Sequence, residues 1–183
     1  MIILASASPR RRALLEQIDI AYQSYPVDID ESPHQGESAK TLVQRLAVEK
    51  AQAAYQQLET DLPILGADTL GLLDDNILVK PRNFEHARSM LRSMSGTTHT
   101  IMTAIAIMHQ GKLKTALNTN KVTFCSITDE QIQTYWETGE PQDKAGAYAI
   151  QGKGAIFVKH IEGSYSGIMG LPLYDVDRLL STL

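Results

Sequence analysis

The chain has 183 residues, of which 43% are hydrophobic and 21% charged, a composition typical of one globular domain. Its formal net charge of −4 excludes the broad cationic surface that general nucleic-acid or membrane-surface binding requires. The single cysteine, Cys125, excludes an internal disulfide, and no apolar segment is long enough to span a membrane. The N-terminal segment does not match a secretory signal, so we expect a single cytoplasmic domain over residues 1–183.

The first segment with a clear chemical signature is SASPRRR, residues 6–12, which follows the short apolar run 1–5. Ser8 is a good N-cap and Pro9 suits the first helical turn, so we predict a strand, a turn and a helix from Pro9 to Gln17. Unpaired N–H groups of a first turn attract anions, and arginines add charged donors. The alternative is a solvated helix face, since neighbouring helical arginines point in three directions.

A carboxylate cluster follows the predicted second strand, Tyr22 to Tyr25. Asp28, Asp30 and Glu31 lie in the aperiodic segment DIDESPHQGES, whose proline and glycine indicate a loop. Such clusters are typical of solvated loop charge, but hard-metal sites are also built from them. The loop alone leaves both interpretations open.

The next helix is predicted from Ser38 to about Leu58. Apolar residues such as Leu42, Leu46 and Ala54 recur at helical spacing and form its buried stripe. Lys50 lies beside this stripe, a position typical of a surface lysine whose stem covers apolar neighbours. The pattern itself gives Lys50 no function.

The segment PILGADTLGLL predicts a buried strand that ends at Asp68. In α/β folds, ligand-binding residues lie at the carboxyl ends of strands. Asp68 is therefore the best candidate in the chain for a catalytic or metal-binding carboxylate.

The remaining elements are predicted in alternation. In chain order they are a hairpin strand Ile77–Val79 ending at Lys80, a helix Asn83–Ser93, a strand Thr97–Gln110 with a partner after a QGK turn, a strand Lys121–Ser126, a helix with a Thr128/Gln131 capping box, the small-residue segment 143–155, a strand Ile156–Ile161, the loop GSYSGIMG and a final helix from Leu171. The sequence therefore predicts an α/β fold.

Several nucleotide and metal motifs are absent. The chain has no P-loop, no dinucleotide-binding glycine turn, no histidines at zinc-ligand spacing and no GxSxG nucleophile elbow. What remains is a set of cations, carboxylates and small-residue loops. This combination is typical of metal-assisted phosphate chemistry.

A series of motifs along the whole chain resembles the Maf family. They are SASPRR, Glu31, RLAVEKA (45–51), GADT (66–69), Lys80–Pro81, SGTTH (95–99), DKAGAYAIQG (143–152) and GLP (170–172). Several motifs in one order are a specific signal, whereas each alone is weak. The resemblance implies an ITPase-like architecture: a mixed twisted sheet flanked by helices, with two lobes around a groove.

The resemblance also implies a function. Maf proteins are nucleoside triphosphate pyrophosphatases that cleave between the α and β phosphates with a divalent metal, Mg²⁺ or Mn²⁺, and are commonly homodimers. By motif, Asp68 is the proton acceptor, Glu31 and Asp68 hold the metal, and Lys50 and Lys80 complete the catalytic set. The substrate-binding residues implied are Ser6, Arg10, Arg11, Thr69 and Gln151, whereas Arg12 is assigned to the surface.

GADT and the intact KAGAYAIQG resemble the branch that acts on dTTP and UTP, with modified pyrimidine nucleotides as further possible substrates. Arg10, Thr69 and Gln151 are the residues tied to base preference. A glutamine amide can accept from N3–H of uracil or thymine and donate to a carbonyl. Two alternatives remain: a nucleotide-binding regulator of septum formation without relevant catalysis, and 7-methyl-GTP as the substrate.

Overall fold

The computed structural model describes all residues, 1–183, and combines a seven-stranded sheet with six α-helices. The strands are β1 (Ile2–Leu4), β2 (Tyr22–Ser24), β3 (Ile64–Leu73), β4 (Asn76–Leu78), β5 (Thr98–His109), β6 (Lys112–Phe124) and β7 (Val158–Glu162). The helices are α1 (Pro9–Gln17), α2 (Ala39–Gln57), α3 (Phe84–Met94), α4 (Asp129–Glu137), α5 (Tyr165–Met169) and α6 (Leu173–Leu180). No helix is long and apolar enough to cross a membrane.

The sheet is mixed, as predicted. Its strand order is β2-β1-β3-β5-β6-β7, and β4 pairs with β3. β1 runs parallel to both β2 and β3, whereas the β3–β4 and β6–β7 pairs are antiparallel. The parallel register of β1 and β3 joins Leu4 to Leu65, so the SASPRRR segment begins where this parallel pairing ends.

The chain forms two compact units, each assembled from separate segments. The first comprises residues 1–69, 102–118 and 164–183, and the second comprises residues 70–101 and 119–163.

The first unit has an apolar core on each face of its strands. One cluster joins β1 and β3 to α1 and α6, and its buried members are Ile2, Leu4, Leu14, Leu15, Leu65, Ala67, Ile105, Ile107, Leu171, Val176 and Leu179. The smaller cluster packs Ile3 and Ile64 against Ala54 of α2. Each fully buried leucine or isoleucine stabilises the fold by about 1.5–3 kcal/mol. Leu65 of β3 belongs to the first cluster and Ile64 to the second, so successive residues of β3 face α1 and α2 in alternation.

The second unit is built around aromatic side chains. Phe124 contacts the rings of His99, Tyr148 and Phe157, and Tyr135 packs against Phe157. These rings meet mostly edge to face, an arrangement that aromatic pairs favour. The cluster holds the small-residue segment, through Tyr148, against β5 and β6.

Local signals placed most helix boundaries correctly. Helix α1 has the predicted bounds, with Pro9 at its start and Ser8 accepting from the N–H of Arg11. The capping box of Thr128 and Gln131 forms with both of its hydrogen bonds. Ser38 and Asn83 cap α2 and α3 as expected.

Three sequence predictions were wrong. Strand β3 does not end at Asp68 but continues to Leu73, because Gly71–Leu73 pair with β4. The strand predicted after the QGK turn and the strand at 121–126 are one strand, β6, since long-range pairing on both edges carries it through Asn118 and Asn120. The predicted loop GSYSGIMG contains α5, which Ser164 caps.

Candidate active site

Three charged side chains meet beside the middle of β3. The ammonium Nζ of Lys50 lies 2.7 Å from Oδ1 of Asp68 and 2.6 Å from Oε1 of Glu31. Lys50 and Asp68 are 9% and 7% exposed, whereas the side chain of Glu31 is 58% exposed. The structure thus brings together a buried lysine and two carboxylates that are far apart in sequence. Lys50 lies 19 residues after Glu31, and Asp68 lies 37 residues after Glu31.

A glycine explains why Lys50 is buried instead of lying on the surface. Gly66 packs against the backbone of α2: a Cβ on Gly66 would lie 2.3 Å from the carbonyl oxygen of Ala47 and 2.7 Å from the nitrogen of Ala51. Gly66 and Asp68 share one face of β3. The close approach therefore places Lys50, one turn along α2, directly over Asp68.

The loop that carries Glu31 is tethered to the same helix. Arg45 of α2 binds both carboxylate oxygens of Glu37, at 2.8 and 2.9 Å, and donates to the carbonyl of Ser32 at 2.9 Å. Such fork-like contacts are the strongest ion pairs an arginine makes. Arg45, which belongs to the RLAVEKA motif, thus holds the loop segment next to Glu31.

The electrostatics of Asp68 suit a base. Burial raises the pKa of Asp68 above its usual range, and the nearby charges of Lys50 and Arg11 oppose this shift. A raised pKa makes the carboxylate a better proton acceptor near neutral pH. Lys50 keeps one oxygen occupied, whereas Oδ2 makes no hydrogen bond within the protein.

A second cluster lies on the opposite face of β3, around the guanidinium of Arg11. Its Nε donates to the carbonyl of Gly170 at 2.9 Å, Nη1 to Oγ of Ser6 at 3.1 Å, and Nη2 to Oγ1 of Thr69 at 3.4 Å. Burial lowers the pKa of Arg11, with Asp68 opposing the shift. Two of its five N–H groups remain for a ligand.

Hydrogen-bond directions in this cluster follow from one carbonyl. Thr103 donates its only hydroxyl proton to the carbonyl of Gly167 at 2.8 Å, so it can only accept from Thr69, 2.9 Å away. Thr69 therefore donates its hydroxyl proton to Thr103 and can offer a ligand only an acceptor lone pair. Ser6 is the reverse case: its Oγ accepts from Ser8 and Arg11, which leaves its proton for a ligand.

The three consecutive arginines differ. Arg11 is engaged by protein acceptors, whereas the half-buried side chain of Arg10 makes no hydrogen bond within the protein. Arg12 is half-buried, not fully exposed as expected for a surface residue, and it also lacks a hydrogen-bonded partner. Arg10 and Arg12 are thus both available to bind an anion, and only the resemblance to the family selects Arg10.

Two carboxylates suit a divalent cation that also binds phosphate. Glu31 Oε2 and Asp68 Oδ2 make no hydrogen bond within the protein, because Lys50 contacts only the other oxygen of each. Mg²⁺ is commonly bound by one or two carboxylates together with water and substrate phosphates. No group of three or more His, Cys, Asp or Glu side chains is arranged to hold a metal. The residues therefore fit a metal that arrives with its substrate.

The other two predicted site residues, Lys80 and Gln151, belong to the second unit. Both are exposed, and neither side chain makes a hydrogen bond or ion pair within the protein. The carbonyl of Val79, next to Lys80, accepts from the N–H of Gly146 at 3.0 Å. The Lys80 strand end is therefore joined to the same small-residue segment that carries Gln151.

The sequence did not predict two residues that support the candidate site residues, Thr103 and Glu140. Thr103 lies in a strand rich in threonine and isoleucine, where nothing local separates it from its neighbours. Glu140 lies in a short turn after α4, yet its carboxylate binds the backbone of residues 153 and 154. Only the glycines of QGKG indicated that another group approaches this backbone closely.

Comparisons with known proteins identify the family. A family model described as "Maf-like protein" matches residues 1–183. The dTTP/UTP pyrophosphatase of Alkalilimnicola ehrlichii is 49% identical over 98% of this chain and 91% of its own length. The protein of the same name from Pseudoalteromonas atlantica is 48% identical over 100% of this chain and 97% of its own.

The fold also has a distant structural neighbour. The Staphylococcus aureus Ham1 protein superposes with a TM-score of 0.54 at 12% identity and covers 99% of this chain and 98% of its own. At this identity the likeness concerns the fold alone. The full-length family match and the closely similar relatives decide the family: the chain belongs to the Maf-like proteins.

Proposed function

We propose that this protein hydrolyses nucleoside triphosphates, preferentially dTTP and UTP, between the α and β phosphates. Water adds to the α-phosphorus, the bond from the α-phosphorus to the bridging oxygen breaks, and the products are the monophosphate and pyrophosphate. The observation that carries the proposal is the Asp68–Lys50–Glu31 cluster, in which Asp68 and Lys50 are buried. The relatives named dTTP/UTP pyrophosphatase support the choice of substrate.

Asp68 is the proton acceptor in this proposal. Its Oδ2 is available, and burial raises its pKa, so the ionised carboxylate binds a proton more strongly than an exposed aspartate does. General-base catalysis of this kind contributes roughly 10²- to 10⁴-fold to a rate. The ammonium of Lys50 keeps Oδ1 oriented during the transfer.

Cations bind the triphosphate in an otherwise acidic protein. Arg10, Lys50 and Lys80 supply positive charge, and Ser6 supplies a hydroxyl donor beside the N-terminus of α1. A close cation–phosphate pair contributes on the order of 4 kcal/mol at an effective dielectric constant of 20, before desolvation. Arg11 acts mainly by holding Ser6 and Thr69 in place.

Glu31 would hold the divalent metal, Mg²⁺ or Mn²⁺, directly through Oε2, and Asp68 would hold it through an intervening water, so Oδ2 of Asp68 stays available as a base. When bound, such an ion neutralises phosphate charge and stabilises the leaving pyrophosphate. Removal of divalent metal with a chelator should therefore abolish turnover, and Mg²⁺ or Mn²⁺ should restore it.

Base preference rests on Arg10, Thr69 and Gln151 in this proposal. Thr69 can only accept, so it suits a donor on the nucleotide, such as N3–H of the base or a sugar hydroxyl. Gln151 has an unpaired amide that can both donate and accept. Modified pyrimidine nucleotides with the same base edge would be accepted as well.

The test is pyrophosphate release from dTTP, UTP, CTP, 7-methyl-GTP, ITP and the ordinary purine triphosphates, with and without metal. We expect selective release from dTTP and UTP. Asp68→Asn should lose about 10²- to 10⁴-fold in kcat while nucleotide binding remains measurable. Asp61→Asn, just before the other end of β3, is the matched control. No release from any nucleotide would favour the regulator, and selective release from 7-methyl-GTP would contradict the base preference.

The resemblance to the family also predicts a homodimer. This stays a prediction, and light scattering on the purified chain decides it.

A further inference from the structure

The loop that carries Gln151 presents two unpaired groups to solvent. Neither the side-chain amide of Gln151 nor its backbone N–H makes a hydrogen bond within the protein, and the residue is exposed. An amide side chain can rotate to exchange its donor and acceptor, whereas a backbone N–H has one fixed direction. The direction of that N–H depends on how the loop itself is held.

Glu140 holds the loop on the C-terminal side of Gln151. Its Oε2 accepts from the N–H of Lys153 at 2.9 Å, and its Oε1 accepts from the N–H of Gly154 at 3.0 Å. Burial raises the pKa of Glu140, but a hydrogen bond from Tyr135 together with these two backbone bonds outweighs it and keeps the pKa below its usual range. An ionised carboxylate that accepts two backbone N–H groups makes charge-assisted bonds, which are stronger than neutral ones.

Tyr135 holds the loop on the N-terminal side. Its hydroxyl donates to Oε1 of Glu140 at 2.6 Å and accepts from the N–H of Ala149 at 3.1 Å. Burial, with the bond to Glu140, raises the pKa of Tyr135, so the phenol stays protonated and keeps donating. Tyr135 and Glu140 form one hydrogen-bonded pair that contacts the backbone on both sides of Gln151.

The pair also fits closely against the loop. A Cβ on Gly152 would lie 2.2 Å from Oε2 of Glu140, and one on Gly154 would lie 2.6 Å from the hydroxyl of Tyr135. Tyr135 and Glu140 together form a clamp, which leaves no room for a Cβ at Gly152 or Gly154.

We propose that Tyr135 and Glu140 are positioning residues for base selection, because they fix the direction of the backbone N–H of Gln151 and the place from which its amide reaches the base. This inference rests on the proposed function, in which Gln151 contacts the base. A fixed donor suits the O4 carbonyl of thymine or uracil and opposes the 4-amino group of cytosine. The clamp thereby favours UTP over CTP without touching either.

Glu140→Gln tests the inference with the smallest change of shape. A glutamine has one acceptor oxygen, so its NH₂ group must face either a backbone N–H or the tyrosine hydroxyl. We expect KM for UTP to rise about tenfold, kcat to change less than about twofold, and the ratio of kcat/KM for UTP over CTP to fall about tenfold. Tyr135→Phe should show the same pattern with a smaller effect of about threefold, because the charged contacts remain.

Two further variants control for folding. Glu137→Gln makes the same chemical change at an exposed position on α4 and should leave both parameters as in the wild type. Gly152→Ala leaves Glu140 intact but displaces its carboxylate, so it should reproduce the loss of selectivity. Thermal unfolding of each variant shows whether it is folded under the assay conditions.

The outcomes separate the two proposals. If Gln151→Ala leaves the UTP/CTP ratio unchanged, the role of the Gln151 side chain in the proposed function fails, and only the backbone N–H of residue 151, which this variant keeps, is left for the clamp to position. If Gln151→Ala lowers the ratio but folded Glu140→Gln and Gly152→Ala do not, the clamp inference is overturned. A uniform fall in kcat for every nucleotide, with KM and selectivity unchanged, would also overturn it by making the clamp purely structural.

Discussion

The two units hold their candidate functional residues in opposite ways. In the first unit, Asp68, Lys50 and Glu31 contact one another directly, and their charges are fixed by ion pairs beside a buried strand. In the second unit, the side chain of Gln151 makes no hydrogen bond or ion pair, and the backbone on either side of it is held by Tyr135 and Glu140. The first arrangement sets a protonation state, whereas the second sets a position.

The difference corresponds to the two tasks of a selective hydrolase. A proton acceptor needs a tuned pKa, which burial and neighbouring charges supply. A group that reads a base must remain unpaired until the ligand arrives, so its support has to come from elsewhere. Variants in the first unit should therefore change kcat and its pH dependence, and variants around Gln151 should change KM and selectivity.

The largest effect is expected from a variant that breaks the ion pairs of Lys50 with Glu31 and Asp68. Lys50→Met removes the ammonium from between two carboxylates, and we expect kcat/KM to fall by about 10²- to 10⁴-fold. Lys50 also lowers the pKa of Asp68, so its removal should raise this pKa. The residual activity should then begin to fall at a higher pH than wild-type activity does as the solution is acidified. A pH profile of kcat/KM measures both. Lys40→Met, exposed at the start of α2, is the control, and an unshifted acid limb would contradict the pairing.

A second prediction concerns His99, a buried histidine that contacts Tyr148 of the small-residue segment 143–155. His99 contacts the hydroxyl of Tyr148 at 2.7 Å, while its Nδ1 has no partner. Burial lowers the pKa of His99 to about 4 from 6.5. Because the unfolded chain binds this proton more readily, stability is fully present above pH 6.5 and is lost as the pH falls toward 4.

The loss attributable to His99 is at most about 3 kcal/mol. Denaturant unfolding at pH 7 and pH 4 measures it, and His99→Gln should reduce the difference between the two pH values by that amount. His34→Gln, in the exposed loop, is the control. If His99→Gln keeps the full acid sensitivity, another group is responsible.

Local sequence signals predicted the elements but not the contacts between them. The bounds of α1 follow from Ser8 and Pro9, whose preferences act within one turn, and the same holds for the capping box of α4. Asp68 was found by its place after a buried apolar run. The expected strand end is not at Asp68, because β3 continues to Leu73, and its parallel neighbour β1 ends opposite Leu65, three residues before Asp68.

The burial of Lys50 and the role of Glu140 could not be predicted locally. Lys50 is buried because Gly66, 16 residues later, lets α2 approach β3. Glu140 binds backbone 13 and 14 residues away, after an intervening turn has brought the segments together. Neither contact leaves a periodic pattern, since each depends on how two elements pack.

The third prediction tests whether the close packing of α2 sets the first arrangement. Gly66→Ala places a methyl group against backbone atoms that cannot rotate away, so α2 must shift. We expect a loss of about 2 kcal/mol in the free energy of unfolding and a fall in kcat with it. Gly71→Ala, in the same strand, meets only side-chain atoms at 3.0–3.3 Å and should cost less. Equal losses in the two variants would contradict the role of the α2 approach.

The smallest expected effect sharpens the comparison, because Thr69 combines the two ways of holding a residue: its hydroxyl is paired, yet one lone pair is left for a ligand. Thr103→Val removes the acceptor for the Thr69 proton, and we expect a loss of about 1 kcal/mol in the free energy of unfolding. The Thr69 hydroxyl can then rotate and donate, so discrimination against nucleotides that present an acceptor should fall. Thr103→Ser keeps the hydroxyl and should restore the wild-type UTP/CTP ratio. Since Thr103 is fully buried and contacts no solvent, an altered ratio in the valine variant with recovery in the serine variant would reflect the direction of one proton and not a lost contact with the nucleotide.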